Sequence, residues 1–302
     1  MLTRPIHLER VDERFVLDLS LKLDSTSPLH IGAGSEGTNK VILRFRVNGK
    51  EIPIIPAESL KGTLRSLASS ISKQLFPDNL AIKYHDKDKH VKIETIGKDE
   101  QRKIKELYFE KAKEALEKIM PKDYIEEIST SDYLPLIEYY FALNCPVCRL
   151  FGAQGISGKL TFSDGVPQTS PKLFTYTSTS INRKTRIVEK EKLFTITAVE
   201  PDKNLRFRFK IIGDNIYKGS EEAKLLSALL QWLLKFDIQV GGLKSYGYGR
   251  LSLDKNESTV KLLKFNANIQ GTEDILKNVR ALLLKEGYFQ VMSVDEFVGW
   301  LK

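Results

Sequence analysis

Cysteine, histidine and long apolar runs are all scarce in this sequence, and each shortage removes a class of protein. Two cysteines in 302 residues cannot staple a disulfide scaffold, and their spacing as Cys145-Pro-Val-Cys148 fits a reducing compartment. The longest apolar stretch, near 225–234, is interrupted by Ser227 and Gln231, so no membrane span is expected. Met1-Leu2-Thr3-Arg4-Pro5 lacks the apolar core of a signal peptide, and the expectation is a soluble cytoplasmic protein without a membrane partner. Neither a Ser-His-Asp pattern, a phosphate loop nor a dinucleotide fingerprint is present, and no repeat of fixed period or low-complexity tract stands out. The four histidines leave few candidates for acid–base chemistry.

What the chain does have is positive charge, +8 overall with a pI near 9.2, which favours a polyanionic partner. Phe15 to Leu23 places apolar residues at every odd position, the period of a half-buried strand. A second alternating run, Val41 to Val47, turns Arg44 and Arg46 outward before the Asn48-Gly49 turn signal. Leu60, Leu64, Leu67, Ile71 and Leu75 then form one helical stripe, beside which Lys61 and Arg65 point the same way. Gly62 inside that helix suggests a close backbone approach. Residues 77–144 turn dense in Lys, Glu and Asp and read as a helical insertion, with Asp99–Ile119 amphipathic. Ser170–Lys192 is basic and lies between strand-like segments, the pattern of a projecting hairpin. Leu205 to Ile211 alternates with Arg206, Arg208 and Lys210 on one face, and Glu221–Phe236 is a strongly apolar helix. Helices at Glu273–Lys285 and Val294–Leu301, behind caps Thr272 and Ser293, are expected to make 254–302 a helical extension.

The densest cluster of unusual residues is Gly241-Gly-Leu-Lys-Ser-Tyr-Gly-Tyr-Gly-Arg250. Glycines at 242 and 247 can bare backbone N–H groups, Lys244 and Arg250 can neutralise phosphates, and Tyr246 and Tyr248 offer faces for base stacking. With His30 in its own glycine loop, Lys61, Arg65 and the basic hairpin, this reads as a surface for single-stranded RNA. The bland alternative is a glycine-rich turn with solvated charges. Without an RNP1-type motif, stacking across an open sheet is not expected.

Two further chemistries are weighed. Cys145-x2-Cys148 and His85-x4-His90 carry zinc-type spacings, but in reversed order and at a length unlike a standard finger. A turn with buried thiols and two solvated histidines is the preferred reading. A metal-independent ribonuclease would need a histidine base, and His30 alone lies in a suitable loop, since His7, His85 and His90 have charged surroundings. A satisfied structural histidine is the commoner reading there too.

Four motifs in order carry a resemblance. They are the His-Ile-Gly loop at His30, Ile-Pro-x-x-Ser-Leu-Lys-Gly-x-Leu-Arg from Ile55 to Arg65, Cys-Pro-x-Cys-x-Leu-Phe-Gly from Cys145 to Gly152, and the glycine stretch from Gly241 to Arg250. The chain resembles the CRISPR-associated RAMP superfamily, most closely the backbone subunits of type III interference complexes. The resemblance implies an α+β fold with a modified ferredoxin-like (RNA-recognition-motif-like) antiparallel core, helical insertions and a projecting β-hairpin. It implies a CRISPR RNA and a single-stranded target RNA as partners, with other effector subunits and copies of the same chain. The hairpin at 170–192 would be a thumb, with Arg183, Lys184 and Arg186 as its phosphate contacts. Cleaving members carry an aspartate after the His-x-Gly loop, aided by a divalent metal. Here Asn39 stands about at that place and Glu36 looks out of register, so guide binding without efficient target cutting is expected. No cofactor is then required beyond a structural zinc, should the Cys/His set hold one. The competing expectation is a guide-processing endoribonuclease of the same superfamily, with His30 as base.

Overall fold

A computed structural model of the chain describes residues 11–36, 39–47, 49–86, 90, 97–131, 134–154, 156–181, 188–264, 273, 276 and 289–302. Its axis is β1 (Glu13–Leu23), in which Phe15, Leu17, Leu19, Leu21 and Leu23 are all buried, as the alternation predicts. Antiparallel to it along its length runs β10 (Arg206–Asp214), which buries Phe207, Phe209 and Ile211 on the same side. On the other edge of β1 lie β12 (Arg250–Leu253), against its C-terminal end, and β13 (Thr259–Lys264), against its N-terminal half. The sheet is completed by β6 (Leu160–Phe162) and β7 (Val166–Pro167) on β10, β11 (Ile238–Gln239) on β12, and β14 (Phe289–Ser293) on β13. Every pairing in it is antiparallel, so the mixed α+β architecture and the ferredoxin-like core are as expected.

A second sheet has the order β2 (Gly32–Glu36), β3 (Asn39–Ile42), β9 (Val188–Val199), β8 (Leu173–Ile181). In it β8 and β9 form an antiparallel pair, and β3 joins β9 in parallel. A separate two-stranded ribbon joins β4 (Arg44–Val47) to β5 (Lys50–Pro53). The residues Arg183, Lys184 and Arg186 lie outside the described residues.

Helix α1 (Ala57–Leu75) buries Leu60, Leu64 and Ala68, with Leu67 and Ile71 half-buried. Leu75 is exposed, so the apolar stripe ends a turn earlier than its periodicity suggests. Gly62 faces open space, and no close backbone approach explains it. Between residues 80 and 144 lie α2 (Leu80–Lys83), α3 (Lys98–Leu116), α4 (Lys122–Ser131) and α5 (Leu134–Asn144). In α3 only Ile104, Ala112 and Leu116 are buried, and Leu107 is exposed. The short α6 (Pro146–Phe151) packs between α1 and α7 (Glu221–Lys235), which Ser220 caps through its side chain.

The C-terminal stretch, expected as a helical extension, contains strands as well; the helix expected at Glu273–Lys285 lies outside the described residues except for 273 and 276, both helical. Among its described residues are β13 and β14 as well as α8 (Val294–Leu301). The segment 259–264 alternates too briefly, among lysines, to signal a strand alone, and β1 supplies the partner that fixes it. At α8 the expected Ser293 cap is present as a reciprocal capping box with Glu296. No helix among the described residues is long and apolar enough to cross a membrane.

Candidate metal centre and RNA-facing loops

The Cys pair opens α6. Cys145 is its N-cap, Pro146 occupies the first helical position where no N–H is needed, and Cys148 lies within the first turn. Both thiols are fully buried. His85 follows α2, a helix started by Asn79, whose side chain accepts from the backbone N–H of Ala81 and Ile82. His90 is held by Glu138 of α5, which accepts from the His90 backbone N–H at 2.8 and 2.9 Å and pairs with its Nδ1 at 3.1 Å. His85 and His90 are 3% and 2% exposed, so they are not the solvated pair preferred from sequence. The charged composition of their loop misleads because α5 brings Glu138 and the Phe141 ring over His90.

The four side chains converge. One ligand atom from each of His85, His90, Cys145 and Cys148 lies within 4.8 Å of every other. His85 Nδ1 is 3.4 Å from His90 Nε2, 3.7 Å from Cys145 Sγ and 3.6 Å from Cys148 Sγ, while Cys148 Sγ is 3.8 Å from His90 Nε2. A tetrahedron with ordinary zinc–nitrogen and zinc–sulfur bonds has edges of about 3.3 Å between nitrogens and about 3.6 Å between nitrogen and sulfur. Those are close to the separations found. The ring protons agree with this geometry. Glu138 takes the His90 Nδ1 proton and leaves Nε2 as a lone pair facing the sulfurs. Among the described residues His85 Nε2 is buried without a hydrogen-bond partner, while its Nδ1 faces the cluster.

Proton affinities in the cluster follow from the same crowding. A hydrogen bond from Cys148 pulls the Cys145 thiol well below its ordinary range against the effect of burial, with His85 and His90 adding to it. Cys148 is pushed up, by that same hydrogen bond first and by burial next. Burial opposes charge on His90, but hydrogen bonds to Cys145 and Glu138 outweigh it and raise its pKa. A divalent ion would take both sulfurs as thiolates and displace the protons they carry without it. Four protein ligands leave no open position, so such an ion would cross-link the loop after α2 to α6 without offering a catalytic water.

The glycine stretch is built for contact with the loop that contains His30. Gly249 N–H donates to the Pro28 carbonyl at 2.8 Å, and Gly242 N–H to the His30 carbonyl at 2.8 Å. Ser27 Oγ bridges the two loops, donating to the Gly247 carbonyl at 2.7 Å and accepting from Arg250 N–H at 2.9 Å. A Cβ at Gly241 would meet the His30 carbonyl oxygen at 2.4 Å, and one at Gly249 the Val240 oxygen at 1.9 Å. The root of the β8–β9 pair joins this cluster. His30 Nδ1 is 2.8 Å from the Thr197 carbonyl, and Leu29 forms a bridge with Val199. Tyr248 is 8% exposed, and burial followed by its hydrogen bond to Tyr176 raises its pKa. Its ring is therefore not free for a base, contrary to the sequence reading. Tyr246, 75% exposed, is the aromatic that the loop displays, beside exposed Lys244 and Arg250.

At the other expected contacts the structure is mixed. The first backbone N–H of α1 donates to Asp164 at 2.8 Å, so a carboxylate already sits where the helix dipole favours an anion. Thr63 ties α1 to β11 by donating to the Gln239 carbonyl at 3.3 Å. Burial, then the nearby Arg65, lowers the Lys61 pKa. Arg65 turns to the Gly152 carbonyl and to Cys148 Sγ. On β10, Arg206 and Arg208 are engaged by Asp254 and Asp18 at 2.9 and 2.7 Å. Glu36 ends β2 and Asn39 begins β3, paired with each other, and residues 37–38 between them lie outside the described residues. Glu138 and Ser27 were missed from sequence. A single carboxylate in the apolar run Leu134-Pro-Leu-Ile-Glu-Tyr-Tyr-Phe141 was the signal available for the first, and Ser27 offers none.

A family model described as the RAMP superfamily matches residues 22–252, from the end of β1 to β12. That span contains the His30 loop, α1, all four Cys/His residues, the β8–β9 pair and the glycine stretch. No curated protein matches the chain.

Proposed function

We propose that this chain, which belongs to the RAMP superfamily and so to the CRISPR-associated RNA-binding proteins, holds the CRISPR RNA backbone as a subunit of a type III effector complex. Its RNA partners are that guide and a single-stranded target, and its protein partners are other effector subunits and further copies of itself. The observation that carries the reading is the convergence of the His30 loop, the glycine stretch and the root of the β8–β9 pair, with Lys244, Tyr246 and Arg250 exposed there. Cations neutralise phosphates and the exposed ring stacks a base, which suits a single strand read through its backbone. The β8–β9 pair serves as the thumb, and Asn39 at the cleavage position makes the subunit a holder of RNA rather than a cutter. The Cys/His cluster takes a structural zinc.

Binding of labelled CRISPR RNA to purified protein tests this on native and denaturing gels, across a salt series and with or without divalent ions. Affinity should fall steeply with salt, depend little on sequence and leave the RNA intact. Absence of salt-sensitive binding overturns the RNA reading. Metal-dependent cutting of target RNA that disappears in Glu36→Ala overturns the non-cleaving one. A second reading has one observation in its favour: the Nδ1 contact of His30 with the Thr197 carbonyl leaves Nε2 as the ring's lone pair. A processing enzyme using it as base would cut repeat RNA at one site without metal, and lose that cut in His30→Ala.

A further inference from the structure

We infer that Arg65 is a positioning residue of the metal centre and not a contact for RNA phosphate. This rests on the zinc reading of the Cys/His cluster and specifies how that cluster is held. The rotation of α1 is fixed by buried Leu64 and Ala68, which leaves Arg65 at the edge of the face that meets α6. From there its guanidinium forks. Nη1 donates to the Gly152 carbonyl at 2.5 Å and Nη2 reaches Cys148 Sγ at 3.7 Å. Gly152 is the C-cap of α6, with φ of +86°, and Cys148 is in the first turn of the same helix. One side chain thus brackets the six-residue helix that bears both thiols.

Electrostatics favour the arrangement. Two thiolates and a zinc ion cancel, and Glu138, hydrogen-bonded to His90, adds one negative charge to the surroundings. Arg65 supplies the balancing positive charge, with its Nη2 3.7 Å from Cys148 Sγ. A cation also suits the carbonyl end of a helix. Lysine could supply the charge but not the fork, because only the planar guanidinium presents two parallel donors. Arg65 therefore acts on the ion through Cys148 and through the turn at Gly152.

The test is zinc retention by the full chain, measured as loss to a chromophoric chelator, together with zinc content by elemental analysis. Outer-sphere partners of metal ligands change affinity by about 10–100-fold when removed. Arg65→Ala should weaken retention by that factor, and Arg65→Lys should fall between it and the wild type. Lys73→Ala removes the same charge from the same helix, at a position lining the same groove as Arg65, and should leave retention unchanged. The salt slope of RNA binding should be unaltered in Arg65→Ala, whereas losing a phosphate contact would reduce it by about 0.7. If the wild type holds zinc and Arg65→Ala holds it equally tightly, this inference is overturned and the zinc reading stands. A wild type that takes up no zinc overturns both. Should Arg65→Ala fail to fold, Arg65→Lys decides, since retention equal to wild type excludes a need for the fork.

Discussion

Gly249 and Gly247 lie two residues apart with nearly the same backbone, φ +76° and +83°, yet only one of them has no room for a methyl group. A Cβ on Gly249 would sit 1.9 Å from the Val240 carbonyl oxygen, and the Val240 N–H donates to the Gly249 carbonyl at 2.9 Å. A Cβ on Gly247 meets nothing within 4 Å. The left-handed conformation alone costs an alanine about 1–2 kcal/mol. Gly247→Ala should therefore lose about 1 kcal/mol in urea denaturation, and Gly249→Ala, adding a backbone collision, about 3 kcal/mol. Equal losses would mean that the close approach at Gly249 relaxes without cost. The sequence made these glycines conspicuous but suggested the wrong use for part of the set. Ligand-facing N–H groups were expected, whereas Gly242 and Gly249 spend theirs on the Pro28–His30 loop more than two hundred residues earlier. No local pattern carries such a contact.

At the scale of elements, the candidate metal centre joins three segments that already share the apolar core through Ile82, Phe141 and Val147. The loop after α2 carries both histidines, α5 contributes Glu138, and α6 carries both thiols. Binding an ion only in the folded state stabilises by about 4 kcal/mol when free zinc exceeds its dissociation constant a thousandfold. For a chain of this size that corresponds to a fall in Tm on the order of 8 °C on full chelation. His85→Ala should lower Tm similarly and then show no further response to chelator. A chelator response that persists undiminished in His85→Ala would place the ion elsewhere. The Cys-x2-Cys half of this centre was plain in the sequence, and the strands β1 and β10 were plain from their alternation. The histidine half was not, because burial of His85 and His90 is imposed by α5, some fifty residues later, against a loop composition that reads as solvated. Likewise β13 exists because β1 offers a free edge, and its own six residues signal little.

Across the whole molecule, a charge of +8 does not mean that every basic stripe is available to a polyanion. The most regular one, on β10, is largely consumed internally, with Arg206 on Asp254 and Arg208 on Asp18. Asp254 also organises the turn after β12, accepting from Asn256 N–H while its own N–H donates to the Ser20 carbonyl. Its pKa is lowered, by the Arg206 hydrogen bond first and against some burial. A carboxylate with a folded-state pKa below its unfolded value of about 3.9 contributes stability that is complete above that value. The contribution is lost as pH falls through the lower, folded value, where both states are protonated. Asp254→Asn should therefore be less stable than wild type at pH 7, and the gap should close between pH 4 and the acid limit. Parallel urea titrations over that range measure it. A gap that is constant with pH would assign the loss to the turn's hydrogen bonds instead of the ion pair. The same substitution separates the two roles of positive charge in this protein. Removing the Asp254 charge makes the sheet face more positive while Arg206 keeps Glu257 at 3.6 Å, so if RNA lay across β10 its affinity would rise, whereas binding confined to the His30 and glycine loops leaves it unchanged.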